Sequence, residues 1–177
     1  MKKIVLKFGL ASGALLGLVT AIMVPLSMSG KFDFSNSEIF GYTTMIAAFL
    51  AVFFGIRSYR ENVAGGAITF GKAFQVGILI ALVACVVYVV AWEIAYWGFL
   101  PDFADKYAAF SLKKMQAEGA SAAELAAATT KMEEFKKLYQ NPLFNIGITF
   151  MEVFPVGLVF TLISAAILRK KPAAATA

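Results

Sequence analysis

The sequence predicts an all-α polytopic membrane protein: four transmembrane helices, with an extracytoplasmic helical hairpin between the third and fourth spans. Two observations carry this. Sixty per cent of the 177 residues are hydrophobic and only 15% are charged, against roughly 45–50% and about 25% in soluble domains. The apolar residues also gather into four runs near the ~20 residues that cross a bilayer at 1.5 Å rise per residue. A soluble chain this short exposes too much surface to hide such an excess, whereas lipid absorbs it.

The first span covers about residues 8–28. Its uncharged stretch, Phe8 to Gly30, is 23 residues long. A secretory h-region is roughly 7–15 residues and precedes an Ala-x-Ala-like site, which is missing here, so the segment reads as a retained span. The second span, 39–56, fills the 18 uncharged residues between Glu38 and Arg57. The third, 73–97, has 20 uncharged residues between Lys72 and Glu93 and continues to Trp97. The fourth, 143–168, contains one charge, Glu152. Residues 1–171 form one membrane domain, and the tail 172–177 is expected to be disordered.

Residues 101–141 are expected to fold as two helices outside the bilayer core. Pro101-Asp102 suits a helix start and Gly119 a helix end. Ser121 and Glu124 have capping-box spacing. Leu125, Ala128, Met132, Phe135 and Leu138 then form one amphipathic face, Glu133 and Lys137 are spaced as an i,i+4 pair, and Asn141-Pro142 divides this helix from the next. The hairpin is either a solvated cap on the bundle or an element that docks a partner or the interface.

Lys and Arg set the orientation. One side holds Lys2, Lys3, Lys7, Arg57, Arg60, Lys72, Arg169, Lys170 and Lys171 in short segments. The other holds Lys31 and six hairpin lysines balanced by six acids. Both termini are therefore expected in the cytoplasm, in a multi-pass membrane protein. Trp92, Tyr96, Trp97 and Phe99 on the third span, with Tyr139 and Phe144 beside the fourth, read as an interfacial belt. The net charge of +5 belongs to segments flanking apolar runs, so the expected partner is the lipid bilayer and not nucleic acid.

The chain has no histidine and one cysteine, Cys85. Histidine general bases, histidine metal sites and cysteine clusters are thereby excluded. Gly66 to Lys72 matches G-x-x-x-x-G-K, but Ala73 stands where a phosphate loop needs Ser or Thr, and a span follows instead of a nucleotide fold. No catalytic, metal or cofactor site is expected, and the protein is read as a non-enzyme.

Each span carries small residues four apart: Gly9, Gly13 and Gly17; Ala47, Ala51 and Gly55; Gly77, Ala81 and Cys85; Gly157, Thr161 and Ala165. Such rows let helices approach closely in lipid. The Gly9, Gly13, Gly17 row serves either packing within one bundle or a homo-oligomer seam. Asn141, Asn145, Thr149 and Glu152 share a face of the fourth helix. With Glu93 and Tyr96 of the third they make a candidate intramembrane polar site. A charged acid in lipid is costly, so Glu152 is expected to be protonated or hydrogen-bonded to Thr149, Asn145 or Tyr96.

Gly55-Ile56-Arg57-Ser58-Tyr59-Arg60, Gly65-Gly66-x-Ile68-x-Phe70-x-Lys72-Ala73-Phe74, Trp92-Glu93-x-x-Tyr96 and Leu168-Arg169-Lys170-Lys171, on this four-span layout, resemble the bacterial membrane family catalogued as domain of unknown function 4199. The likeness covers most of residues 2–171 and is most specific between the second and third spans. It implies a four-helix bacterial inner-membrane protein and supplies no catalytic residues. Two functions are expected on these grounds: a structural, regulatory or assembly component with a membrane-protein partner or second copy, or a small ligand- or proton-handling protein that uses Glu93 and Glu152.

Overall fold

A computed structural model describes residues 1–28 and 37–171. Lys31 and the tail 172–177, to which the sequence assigned a loop cation and disorder, lie outside the described residues. Six helices follow in order: α1 (Lys2–Met28), α2 (Ser37–Asn62), α3 (Phe70–Phe99), α4 (Phe103–Ala117), α5 (Ala122–Tyr139) and α6 (Pro142–Leu168). Four of them, α1, α2, α3 and α6, are long and apolar enough to cross a membrane. Each extends beyond its apolar run: α1 takes in Lys2, Lys3 and Lys7, and α2 continues through Arg57 to Asn62. A helix that leaves the hydrocarbon still satisfies its own backbone, so charge does not end it.

The four long helices form a ring in which α1 packs on α3, α3 on α6, α6 on α2 and α2 on α1. α2 and α3 also touch across one diagonal, and α1 and α6 make no contact of similar extent. The bundle has two unlike ends, a basic end with Met1 and Lys171 and a hairpin end under α4 and α5.

Small residues organise the basic half. α1 and α3 run parallel, and an added Cβ would lie 2.6 Å from Val83 Cβ at Gly9, 2.5 Å from Val87 Cβ at Gly13 and 2.8 Å from Ala91 Cβ at Gly17. The row thus faces α3 within the bundle. Gly77 admits Ile56 and Thr161, and Gly157 admits the Phe49 ring. Phe49, Val52, Ile56, Val76, Ile80, Ala81 and Val153 fill the space between. The Ser12 hydroxyl donates to the Ala48 carbonyl at 2.8 Å, joining α1 to α2.

At the basic end three of the four segments that carry the family resemblance converge, those at 55–60, 65–74 and 168–171. Gly65 and Gly66 turn the chain at φ +66° and +85°, where only glycine is unstrained. Ile68 and Lys170 then exchange two backbone hydrogen bonds of 2.9 Å. Arg60 donates to the Leu168 carbonyl at 3.2 Å, which satisfies an orphan group at the C-terminus of α6. The Thr69 hydroxyl accepts from the Lys72 amide and starts α3.

The hairpin follows its local signals, with two corrections. Gly119 at φ +88° ends α4, and the amides of Gly119 and Ala120 reach back to Gln116 and Met115 in a Schellman closure. Ser121 and Glu124 form the full capping box; the Ser121 amide and hydroxyl hold the Glu124 carboxyl below its ordinary range. Asp102 stands at the N-cap of α4, as Pro101-Asp102 suggested, without a side-chain cap, and Asp105 adds an acid in the first turn. Glu133 pairs with Lys136 and not Lys137. Lys136 also binds Asp105 across the hairpin, and this bond, followed by that to Glu133, raises its pKa. Leu138 turns outward at 51% exposure, and Tyr139, 7% exposed, takes the inward place; a step of four from Phe135 holds the face better than a step of three after so many turns.

Gly13→Leu tests the α1–α3 contact. Its Cβ would meet the Ala84 backbone carbonyl at 2.8 Å, which cannot move aside. The unfolding midpoint in detergent should fall by the equivalent of about 1–3 kcal/mol or more, as overpacked cores do. Gly71→Ala, with nothing within 4 Å, should not lose stability. Equal midpoints would show that α1 does not rest on α3.

Candidate functional site

The small-residue rows stop halfway along the bundle. On α1 the last glycine of the row is Gly17, followed by Val19, Thr20, Met23 and Val24. On α3, Cys85 gives way to Tyr88 and Trp92. Larger side chains hold the backbones apart, and a cavity of 360 Å³ opens in the hairpin half. All four spans line it, with Thr20 and Met23 from α1, Thr44 and Met45 from α2, Tyr88 and Trp92 from α3, and Thr149 and Glu152 from α6. The hairpin roofs it with Phe103 and Tyr107 of α4 and Phe135 and Tyr139 of α5. Phe40 on α2, Tyr107 on α4, and Ile148 and Glu152 on α6 are lining residues that are also exposed, and they mark its open side.

A buried polar network fastens roof to wall. The Asn141 side chain caps α6 by accepting from the Leu143 amide at 3.0 Å, with Pro142 at the first turn. One turn on, Asn145 is wholly buried. Its Oδ1 accepts from Trp92 Nε1 at 3.2 Å and from the Thr149 hydroxyl at 3.3 Å, and its Nδ2 donates to the Tyr139 carbonyl at 3.3 Å. Trp92 Nε1 also donates to the Tyr139 hydroxyl at 3.0 Å. Burial pushes the Tyr139 phenol above its ordinary pKa, so it remains neutral across the physiological range. Trp92, Tyr96, Phe103 and Tyr139 pack edge to face around this network, a favoured aromatic geometry. Trp92, Tyr96 and Tyr139 therefore face inward, not toward an interface, while Trp97 and Phe99 remain exposed.

The polar residues singled out from sequence divide into three groups. Asn145 and Thr149 serve the network. Tyr96 belongs to the aromatic cluster and does not line the cavity. Glu93 lies outside the cavity as well: its Oε2 accepts from Trp97 Nε1 at 2.8 Å, and its buried Oε1 has no partner among the described residues. Glu152 lines the cavity and makes no hydrogen bond or ion pair among the described residues. The expected bond to Thr149, Asn145 or Tyr96 is not formed, because the first two are committed to the network. Glu93 and Glu152 thus serve separate surroundings.

Sequence reasoning missed most of the cavity wall. Tyr88 and Trp92 stand four apart on α3, as do Phe135 and Tyr139 on α5, and that spacing was the available signal. Thr20 and Thr44 gave none. Asn145→Leu keeps the volume and removes both halves of the amide. It should cost about 1–3 kcal/mol, the penalty for stranding buried partners, with a shift in Trp92 emission. An unchanged denaturation midpoint would mean that water replaces the amide.

No curated protein and no solved structure matches this chain. A family model described as "Protein of unknown function (DUF4199)" matches residues 7–170, which contain all four candidate spans except the first residues of α1 and so cover both the packed half and the cavity. The chain belongs to that family.

Proposed function

We propose that this protein is a non-catalytic component of the bacterial inner membrane that binds a small, mostly apolar molecule in the chamber beneath its hairpin. The cavity is the observation that carries the reading. Protein interiors are packed with few voids larger than a water molecule, whereas ligand pockets span about 300–1,000 Å³ and combine apolar walls with a few polar groups. At 360 Å³, walled by aromatic and aliphatic side chains with three threonines and one acid, the chamber matches the second description. A proton path through both acids is disfavoured, since Glu93 turns to Trp97. The rival is a structural, regulatory or assembly role in which the charged outer face of the hairpin docks a partner.

Tryptophan fluorescence separates the two. The chain has two tryptophans, so Trp97→Phe leaves Trp92, in the cavity wall, as the sole indole. A neutral aromatic such as bromobenzene should quench it saturably. Thr20→Phe, which fills the chamber, should remove the saturable component. Quenching that rises without saturation in both proteins would favour the structural reading.

The basic end carries nine cations in short segments, and such segments stay on the cytoplasmic side. This supports cytoplasmic termini, with hairpin and chamber on the outer side. A cysteine replacing Ser121 should then react with an impermeant thiol reagent added to intact cells, and one replacing Asn62 should not; the native Cys85 is buried. Labelling of the Asn62 site alone would reverse the orientation.

A further inference from the structure

The geometry points to an organic cation, an amine or quaternary ammonium on an apolar body, as the molecule that the chamber takes. The inference rests on the ligand-binding reading above and names the chemical class of the ligand.

Glu152 is the one acidic side chain among the described residues that line the cavity. No Lys or Arg is among them, and no described donor is bonded to its carboxylate. Thr149, one turn away on the same face of α6, donates to Asn145, and Asn145, two turns away, is taken by Trp92 and Tyr139. Glu152 is also exposed on the open side, where an incoming molecule can reach it.

The rest of the wall selects the same charge. Tyr88, Trp92, Tyr107 and Tyr139 place indole and phenol rings around the space that Glu152 borders. Aromatic faces carry the negative part of the ring quadrupole and attract a cation within about 6 Å, Trp best of all. Three candidate ligand charges then rank plainly. An anion meets both the carboxylate and the π-faces and is repelled. A neutral apolar molecule fills the space but strips water from Glu152 without replacing it, which penalises binding. A cation with an apolar body favours the ionised form of the Glu152 carboxyl, whose proton leaves through the open side, and it lies against the rings and fills the volume.

A pair of isosteres tests charge alone. Benzyltrimethylammonium and neopentylbenzene share one shape and differ in a nitrogen cation against a carbon. Binding is read from Trp92 emission in the full-length Trp97→Phe protein in nanodiscs of a zwitterionic lipid. The cation should bind at least tenfold more tightly than its neutral twin. Glu152→Gln should reduce that preference to less than threefold, and Glu152→Asp, which keeps the charge, should retain most of it. A neutral twin that binds saturably and as well as the cation would overturn the cation assignment and leave the chamber reading standing. A preference that survives Glu152→Gln would overturn the role of the carboxylate and with it the inference. Saturable binding of neither probe would bring down the chamber reading and the inference together.

Discussion

The parallel contact between α1 and α3 is the constraint on which the rest of the bundle depends. Lipid is as apolar as leucine, so helices within it gain nothing from hiding apolar surface from one another. What joins them is close approach, and close approach needs missing side chains. Gly9, Gly13 and Gly17 supply it opposite Val83, Val87 and Ala91 at one constant register. Gly77 and Gly157 do the same between α3, α6 and α2. With three helices locked in this way, α2 completes the ring by laying Phe49, Val52 and Ile56 into the centre.

The cavity follows from where that constraint ends. Beyond Gly17, Cys85 and Gly157 the inward positions toward the hairpin carry Thr20, Met23, Tyr88, Trp92 and Glu152. Helices bearing such side chains stand apart, and the chain fills the widened end from above with α4 and α5. The roof is placed by polar bonds more than by apolar area. The Tyr139 hydroxyl and carbonyl meet Trp92 and Asn145, and those donors and acceptors have few other partners once they are buried. A network of this kind is stringent, since a half-made one costs more than none. It therefore fixes the roof in one position, and the Asp105–Lys136 pair holds the two roof helices to each other. Glu152 gains its setting from this division of labour, because its neighbours on α6 are consumed by the network and it is not.

Much of the secondary structure was readable residue by residue. Asn141-Pro142, Ser121 with Glu124, and Gly119 each mark a helix boundary through chemistry that acts within a few residues. The Gly65-Gly66 turn is of the same kind, because φ beyond +60° selects glycine whatever the surroundings. The reading slipped where a partner outside the element decides. Lys136 in place of Lys137, and Tyr139 in place of Leu138, were settled by what lies opposite α5.

Sequence alone determined the number of spans, their approximate limits and the presence of a hairpin, since hydropathy over some twenty residues and local caps are properties of contiguous chain. It also placed small residues in rows and polar groups in a stripe. Only tertiary structure decided which way these faces turn. In a membrane the bundle side and the lipid side of a helix are both apolar, so hydropathy holds no inward direction. The rotation of each helix is fixed by the one next to it. That is why Glu93 and Glu152, alike in sequence as lone acids within spans, part company in the fold, one against Trp97 and the other on the wall of a chamber.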